Sequence, residues 1–112
     1  MSRSRDIGTG WETTLVKFFV SLWPKIKRIG SRDYGAGDLE GVPNFCIEAK
    51  AESVWGKARL EKWMDQAEAS RKRVKKKYKI LFVRRKYHKT GRSYAIMELD
   101  DWYDLVAEYD IK

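Results

Sequence analysis

The sequence predicts an α/β fold: one mixed β-sheet flanked by helices, in the element order αβββαββα. Three observations lead there. Apolar residues recur at helical spacing in three separate stretches. Between them lie a segment of two-residue alternation and a short, largely apolar run, both of strand length. With 112 residues there is room for one hydrophobic core. A meander, a crossover helix and two more strands fit most simply into a single sheet covered on both faces.

Each element has its own signal. Residues 1–8 read as a flexible basic arm, and residues 9–112 as a single domain. Thr9-Gly10-Trp11-Glu12 has the form of a capping box, with Thr9 as N-cap and Glu12 at N3. Trp11, Leu15, Phe18, Phe19 and Leu22 then form a helical stripe that Pro24 closes. Lys25–Ile29 alternates as a short strand, 30–37 is a turn-rich loop, and Asp38–Gly41 is a second short strand. Phe45–Ala51 is a third strand. Phe45, Ile47 and Ala49 point to one face, Cys46, Glu48 and Lys50 to the other. A helix over Lys57–Lys76 carries the stripe Leu60, Trp63, Met64, Ala67 and Val74. Tyr78–Val83 is a buried strand, Arg84–Arg92 a basic connection with a turn at Thr90-Gly91, and Ser93–Leu99 a further strand. Asp100 caps a last helix to Tyr109, with Trp102, Leu105, Val106 and Tyr109 on its inner face.

Composition excludes several functions. One cysteine, Cys46, and one histidine, His88, leave no disulfide framework and no Cys/His metal site within a chain. Cys46 reads as a small buried hydrophobe. No apolar run is long enough to span a membrane, and the basic start lacks the apolar stretch of a signal peptide, so a cytoplasmic setting is expected. Any metal would be a hard cation held by carboxylates.

The net charge of +8 is unevenly spread. Arg71–Arg92 holds twelve Lys and Arg residues and no acid, whereas Glu98–Lys112 holds six acids against one base. A basic band of that density points to a polyphosphate partner, bound with strong salt dependence. Tyr87 and Trp55 fall outside the helical stripes, so either could stack on an unpaired base or pack at a dimer interface.

The chemistry-bearing cluster is Asp38, Glu48 and Lys50. Glu48 and Lys50 are two apart on a strand and share a face. Asp38, on a neighbouring short strand, can converge on them. Two acidic-x-Lys triplets occur, Glu48-Ala49-Lys50 and Asp110-Ile111-Lys112, and only the first sits on an alternating strand with an upstream acid. Two carboxylates on one sheet rim suit Mg²⁺, which retains positions for water and phosphate oxygens, and a lysine beside it can orient a water or stabilise a crowded phosphate.

These residues, with Gly10-Trp11-Glu12, Ser31-Arg32-Asp33, Gly37-Asp38-Leu39-Glu40-Gly41-Val42-Pro43, Trp63-Met64-Asp65-Gln66-Ala67-Glu68 and Val83-Arg84-Arg85-Lys86, resemble the PD-(D/E)XK nuclease superfamily over about residues 8–100. Within it, the pattern is similar to the archaeal-type Holliday junction resolvases and their actinobacteriophage counterparts. The resemblance implies a restriction endonuclease-like core and a Mg²⁺-dependent endodeoxyribonuclease, with Mn²⁺ as a substitute ion. Asp38, Glu48 and the Ala49 carbonyl would hold the metal. Lys50 would be the catalytic lysine, Glu12 the acid on the first helix that completes the metal or water shell, and Gln66, or else Glu68, the polar residue from the second helix. Ser31 and Arg32 would approach the scissile phosphate. Gly37 stands where the family pattern has proline. The expected partners are four-way or other branched DNA and a second copy of the chain. Phosphates would be gripped by Arg3, Arg5, Arg71, Lys72, Arg73, Lys75, Lys76, Arg84, Arg85, Lys86 and Lys89. A related nuclease acting on flaps or nicks, or a non-catalytic basic DNA-binding module on the same fold, remains as an alternative.

Overall fold

In the computed structural model, residues 3–30 and 35–109 are described, with side chains from Ile7 onward. Ser31 and Arg32 lie outside the described residues. The element order is α1 (Arg3–Phe19), β1 (Lys27–Arg28), β2 (Leu39–Glu40), β3 (Phe45–Lys50), α2 (Lys57–Val74), β4 (Tyr78–Val83), a 3₁₀ turn (Thr90–Arg92), β5 (Tyr94–Ile96) and α3 (Leu99–Tyr109). Among the described residues the five strands form one mixed sheet in the order β1-β2-β3-β4-β5. The β3–β4 pair is parallel and the other pairs are antiparallel. The α/β class and the αβββαββα order are those read from the sequence.

The parallel pair follows from chain length. Six residues separate β3 from α2, and α2 has eighteen, enough to carry the chain back across a sheet face before β4 starts. Register runs from Phe45 opposite Tyr78 to Lys50 opposite Val83, so the two strands end together at one rim. The alternation of β3 sorts its side chains as expected. Ile47, flanked by Phe45 and Ala49, enters the core beneath α1 with Trp11, Leu15, Leu39, Ile80 and Phe82. The other face meets α2, where Trp63 and Ala67 pack on Leu81 and Val83. The Trp11 indole Nε1–H donates to the Phe82 carbonyl at 3.0 Å, which ties α1 to β4. Gly41, at φ +86°, lets β2 turn against the first strand: a Cβ there would lie 2.0 Å from the Lys25 carbonyl oxygen.

Three expectations need correction. Helix α1 begins at Arg3, not Thr9, so residues 3–8 form its first turns and Thr9 lies within the helix instead of capping it. Ile7 sits four residues before Trp11 and continues the apolar stripe by a turn, a signal obscured by the poor helix formers Gly8 and Gly10. The first two strands are only two residues long each. Finally, α3 buries no residue fully: Trp102 and Tyr109, expected on an inner face, are about half exposed.

Helix α3 is tied to the sheet by charge. Lys79, in the middle of the basic band, is 3% exposed and lies 2.5 Å from Glu98, 3.1 Å from Asp101 and 3.5 Å from Glu68. Lys77 pairs with Glu108 at 2.6 Å, and the Tyr78 hydroxyl bonds the same carboxylate. The acidic C-terminal helix thus neutralises part of the basic band. What remains divides between the end of α2 and the segment after β4. A six-residue strand, about 20 Å, separates the two.

At the end of α2, Lys75 adopts φ +57° and its backbone sits in the left-handed C-cap position usually taken by glycine. Lys75→Gly is therefore expected to raise stability by about 0.5–1 kcal/mol, as the relieved backbone strain exceeds the added unfolded-chain entropy. Urea unfolding checks it. Among the described residues, no helix is long and apolar enough to cross a membrane.

Candidate active site

Asp38 is held by its own backbone before its side chain does anything. Its N–H donates to the Ile47 carbonyl at 2.8 Å, and its carbonyl accepts from Ile29 N–H at 3.0 Å. This stitches Asp38 between the first strand and β3, just ahead of β2. Its Oδ2 accepts from Ala49 N–H at 2.7 Å. Gly37 makes this approach possible. At φ +94° a Cβ would come within 3.1 Å of the Ile47 carbonyl oxygen and 3.2 Å of the Cys46 sulfur. Proline, fixed near −65°, cannot take that conformation, which explains why glycine precedes the aspartate here.

Glu48 is 3% exposed, on the face of β3 toward α2. Its carboxyl is pushed up to about 7, first by burial, then by the negative charge of Asp38, with Lys50 opposing. The Asp38 side chain also acts on it directly and in the same direction, and Ser70, on α2, acts against the shift. Asp38 and Glu48 are thus two acids in direct contact, an arrangement that favours a proton or a cation between them.

Lys50 ends β3 on the same face. Its Nζ donates to Gln66 Oε1 at 3.0 Å, lies 4.0 Å from Glu48 Oε2, and sits 6.0 Å from the centre of the Trp63 ring. The ammonium is therefore aimed by α2 and by its own strand together. Glu12 approaches from α1. Its carboxyl is raised by partial burial and by Asp38, and Arg28 Nε donates to its Oε1 at 3.1 Å, which opposes the shift. A cleft of about 300 Å³, lined by Gly37, Asp38, Glu48, Gln66, Ser70 and Arg73 among others, opens over the carboxyl pair.

The structure therefore brings Asp38, Glu48, Lys50 and Gln66 together, with Glu12 within electrostatic reach of Asp38 and Lys50. It does not bring Glu68 there. Glu68 is bonded by Arg71 at 2.6 and 3.1 Å and held down at about 2, chiefly by those hydrogen bonds. Arg71, expected on phosphate, is correspondingly occupied by Glu68 and by the Lys76 carbonyl. Arg73 lines the cleft itself, and Arg84 follows directly from β4, its N–H donating to the Lys50 carbonyl at 2.8 Å. Lys72, Lys75 and Lys76 lie at the end of α2, and Lys86 and Lys89 are exposed in the segment after β4, with Arg85 partly buried. Arg3 and Arg5 lie in the first turns of α1.

Sequence reasoning missed Ser70 and Arg28. Ser70 had a usable signal: it is four residues after Gln66 and one turn along the same face of α2. Arg28 had none, because its strand has two residues and no pattern of its own. The Cys46 thiol is pushed up to about 12 by burial and then by Glu48 and Asp38, so it stays protonated and inert at neutral pH, as expected of a buried hydrophobe.

Asp38 and Glu48 fit a hard divalent cation. Both are oxygen donors, they meet at one rim, and the Ala49 carbonyl leaves β3 on the side its N–H takes toward Asp38. Among the described residues, no group of three His, Cys, Asp or Glu side chains converges as a ligand set. The remaining positions on a magnesium ion would thus fall to backbone, water and phosphate, as is common for that ion. Comparison with protein-family models, with curated proteins and with solved structures gave no match for this chain.

Proposed function

We propose that this protein is a metal-dependent, structure-selective DNA endonuclease of the PD-(D/E)XK type, acting as a Holliday junction resolvase on four-way DNA. The observation that carries the reading is the pairing of half-buried Asp38 with buried Glu48, on a rim shared with a lysine that Gln66 aims. A carboxyl pair repels phosphate unless a cation lies between, whereas the basic segments around it attract phosphate. An enzyme that brings a cation and a phosphodiester to one point reconciles the two.

A bound Mg²⁺ would supply Lewis acidity toward the scissile phosphate and its attacking water. Asp38 and Glu48 would hold it through oxygen donors. Lys50 would place a positive charge beside the phosphoryl oxygens as negative charge builds up there, with Gln66 and Trp63 fixing the ammonium. Arg28 keeps Glu12 oriented on the Asp38 side of the cleft. Products with 5′-phosphate and 3′-hydroxyl ends follow from the same resemblance.

Resolving a four-way junction takes two symmetric cuts, and each chain carries one such cluster, so the working unit is a homodimer. The apolar surface of α3 supports this: Leu99 is 82% and Tyr103 73% exposed, beside Trp102 and Val106. In sedimentation analysis the wild type is expected to run as a dimer and the Trp102→Glu/Val106→Glu double variant as a monomer. A strictly monomeric wild type that still makes paired cuts would refute the dimer. Substrate class is tested by comparing a labelled four-way junction with linear duplex of the same sequence at matched salt. Faster cutting of the junction is expected, and equal rates would point to a general nuclease.

A further inference from the structure

The segment joining β4 to β5 contains a feature that the cleavage chemistry does not use. Arg85, Lys86, Tyr87 and His88 form a tight turn closed by His88 N–H on the Arg85 carbonyl at 3.2 Å. Tyr87 occupies the third position at φ +66°, where glycine or asparagine is usual in a turn of type II. A tyrosine there strains the backbone, yet the residue is 90% exposed, and the Lys86 ammonium lies 5.0 Å from its ring centre. Strain retained in a residue that adds nothing to the core points to a role outside the fold.

The surroundings of the ring are those of a nucleic-acid contact. Arg84, Arg85, Lys86 and Lys89 flank it in sequence without an acid among them. The His88 Nδ1 lies 2.9 Å from the Lys86 carbonyl, so this nitrogen carries the proton and Nε2 faces away from that bond. Between this turn and α1 runs a groove of about 410 Å³, with Ile7 and Trp11 on its α1 wall and Thr14, Arg84, His88 and Ser93 among its polar lining. Hydroxyls, a guanidinium and an imidazole make that groove suited to a phosphodiester. Through the backbone it is tied to the strand that carries the cleavage cluster: the Arg84 N–H donates to the Lys50 carbonyl.

We propose that the Arg84–Arg92 segment is a clamp for an unpaired nucleotide of branched DNA. Tyr87 stacks on the splayed base, and Arg84 and His88 hold its phosphate in the groove beside α1. This rests on the reading of the chain as a protein of branched DNA, and names the feature of the substrate it engages: a base displaced from the stack at the branch. An aromatic ring with adjacent cations is the common means of binding unstacked bases without regard to sequence.

The test uses the full chain and two DNA probes, a four-way junction with two unpaired thymines at the branch and a fully paired duplex of equal length. Binding is measured in Ca²⁺, with 2-aminopurine beside the thymines reporting stacking. Tyr87→Ala is expected to lose about tenfold in affinity for the gapped junction and to leave duplex binding unchanged, with the wild-type fluorescence change abolished and Tyr87→Phe retaining both. Equal binding of both probes by wild type and Tyr87→Ala would overturn the clamp, as would a wild type that binds no DNA. Failure of the nuclease reading is separately visible: a wild type that shows the Tyr87-dependent preference but cuts nothing in Mg²⁺ keeps the clamp and loses the enzyme.

Discussion

Lys50→Ala is expected to slow Mg²⁺-dependent cleavage of a four-way junction by about 10²–10³-fold, with junction binding nearly intact. Two facts of geometry set this expectation. The ammonium is held by Gln66 at 3.0 Å on one side and faces Glu48 at 4.0 Å on the other, so its position beside the carboxyl pair is fixed before substrate arrives. A preorganised charge acts where charge develops in the transition state, and contributes little to the ground state. Phosphate binding is spread over many cations, so removing one alters the salt slope by about one unit and leaves affinity largely unchanged. Single-turnover cleavage in Mg²⁺, with binding in Ca²⁺ as the control, reads the two separately. Equal cutting by wild type and variant would remove Lys50 from the chemistry. Gln66→Ala should give a smaller loss of the same kind, because it frees the ammonium without deleting it.

The second large effect concerns stability. Glu48 titrates near 7 in the folded chain against an ordinary carboxyl value of 4.5, so between those pH values the folded state binds more protons than the unfolded one. Stability of the metal-free protein must then fall as pH rises through that window. Glu12, also raised, acts in the same direction. Glu68 and Glu108, which are lowered, matter only below the ordinary carboxyl range, and the raised lysines Lys77 and Lys79 only at strongly alkaline pH. Thermal melts in EDTA from pH 5 to 8 should therefore show a decline that Glu48→Gln reduces to the smaller share of Glu12. Mg²⁺ should restore wild-type stability at pH 8 and leave the variant unchanged. A wild-type melt independent of pH and of Mg²⁺ would contradict the pairing of Asp38 with buried Glu48.

How much of this was legible in the sequence depended on whether the physical signal was local. The alternation in Phe45–Lys50 correctly separated Ile47, in the core, from Glu48 and Lys50, on the α2 face, because a strand's period decides its faces wherever one face is apolar. Tyr78–Val83 was readable to the residue, since a buried strand is a short run dominated by apolar residues, here broken only by Lys79. The candidate cluster was legible from the alternation of Phe45–Lys50, on which Glu48 and Lys50 are two apart.

What was not legible came from contacts distant in sequence. Lys79 counts as one of twelve cations in the Arg71–Arg92 band, but in space it is buried among Glu68, Glu98 and Asp101. The basic band is therefore less basic than its sequence, and divided by β4. Periodicity showed that α3 has an apolar face but not that the fold would leave it half exposed, since pattern identifies a face and says nothing of what covers it. Two-residue strands such as Lys27–Arg28 carry no pattern, so Arg28 as the partner of Glu12 could not be anticipated.

The central claim is that Asp38 and Glu48 form a cation site that cuts branched DNA. Its most direct test places an end-labelled four-way junction with wild type and with Glu48→Gln, each in Mg²⁺ and in EDTA, with binding followed in parallel. The account predicts paired cuts near the branch by wild type in Mg²⁺ alone, and intact but bound junction in the other three conditions. A junction bound by wild type and left whole in both Mg²⁺ and Mn²⁺, or cut equally by Glu48→Gln, would contradict it.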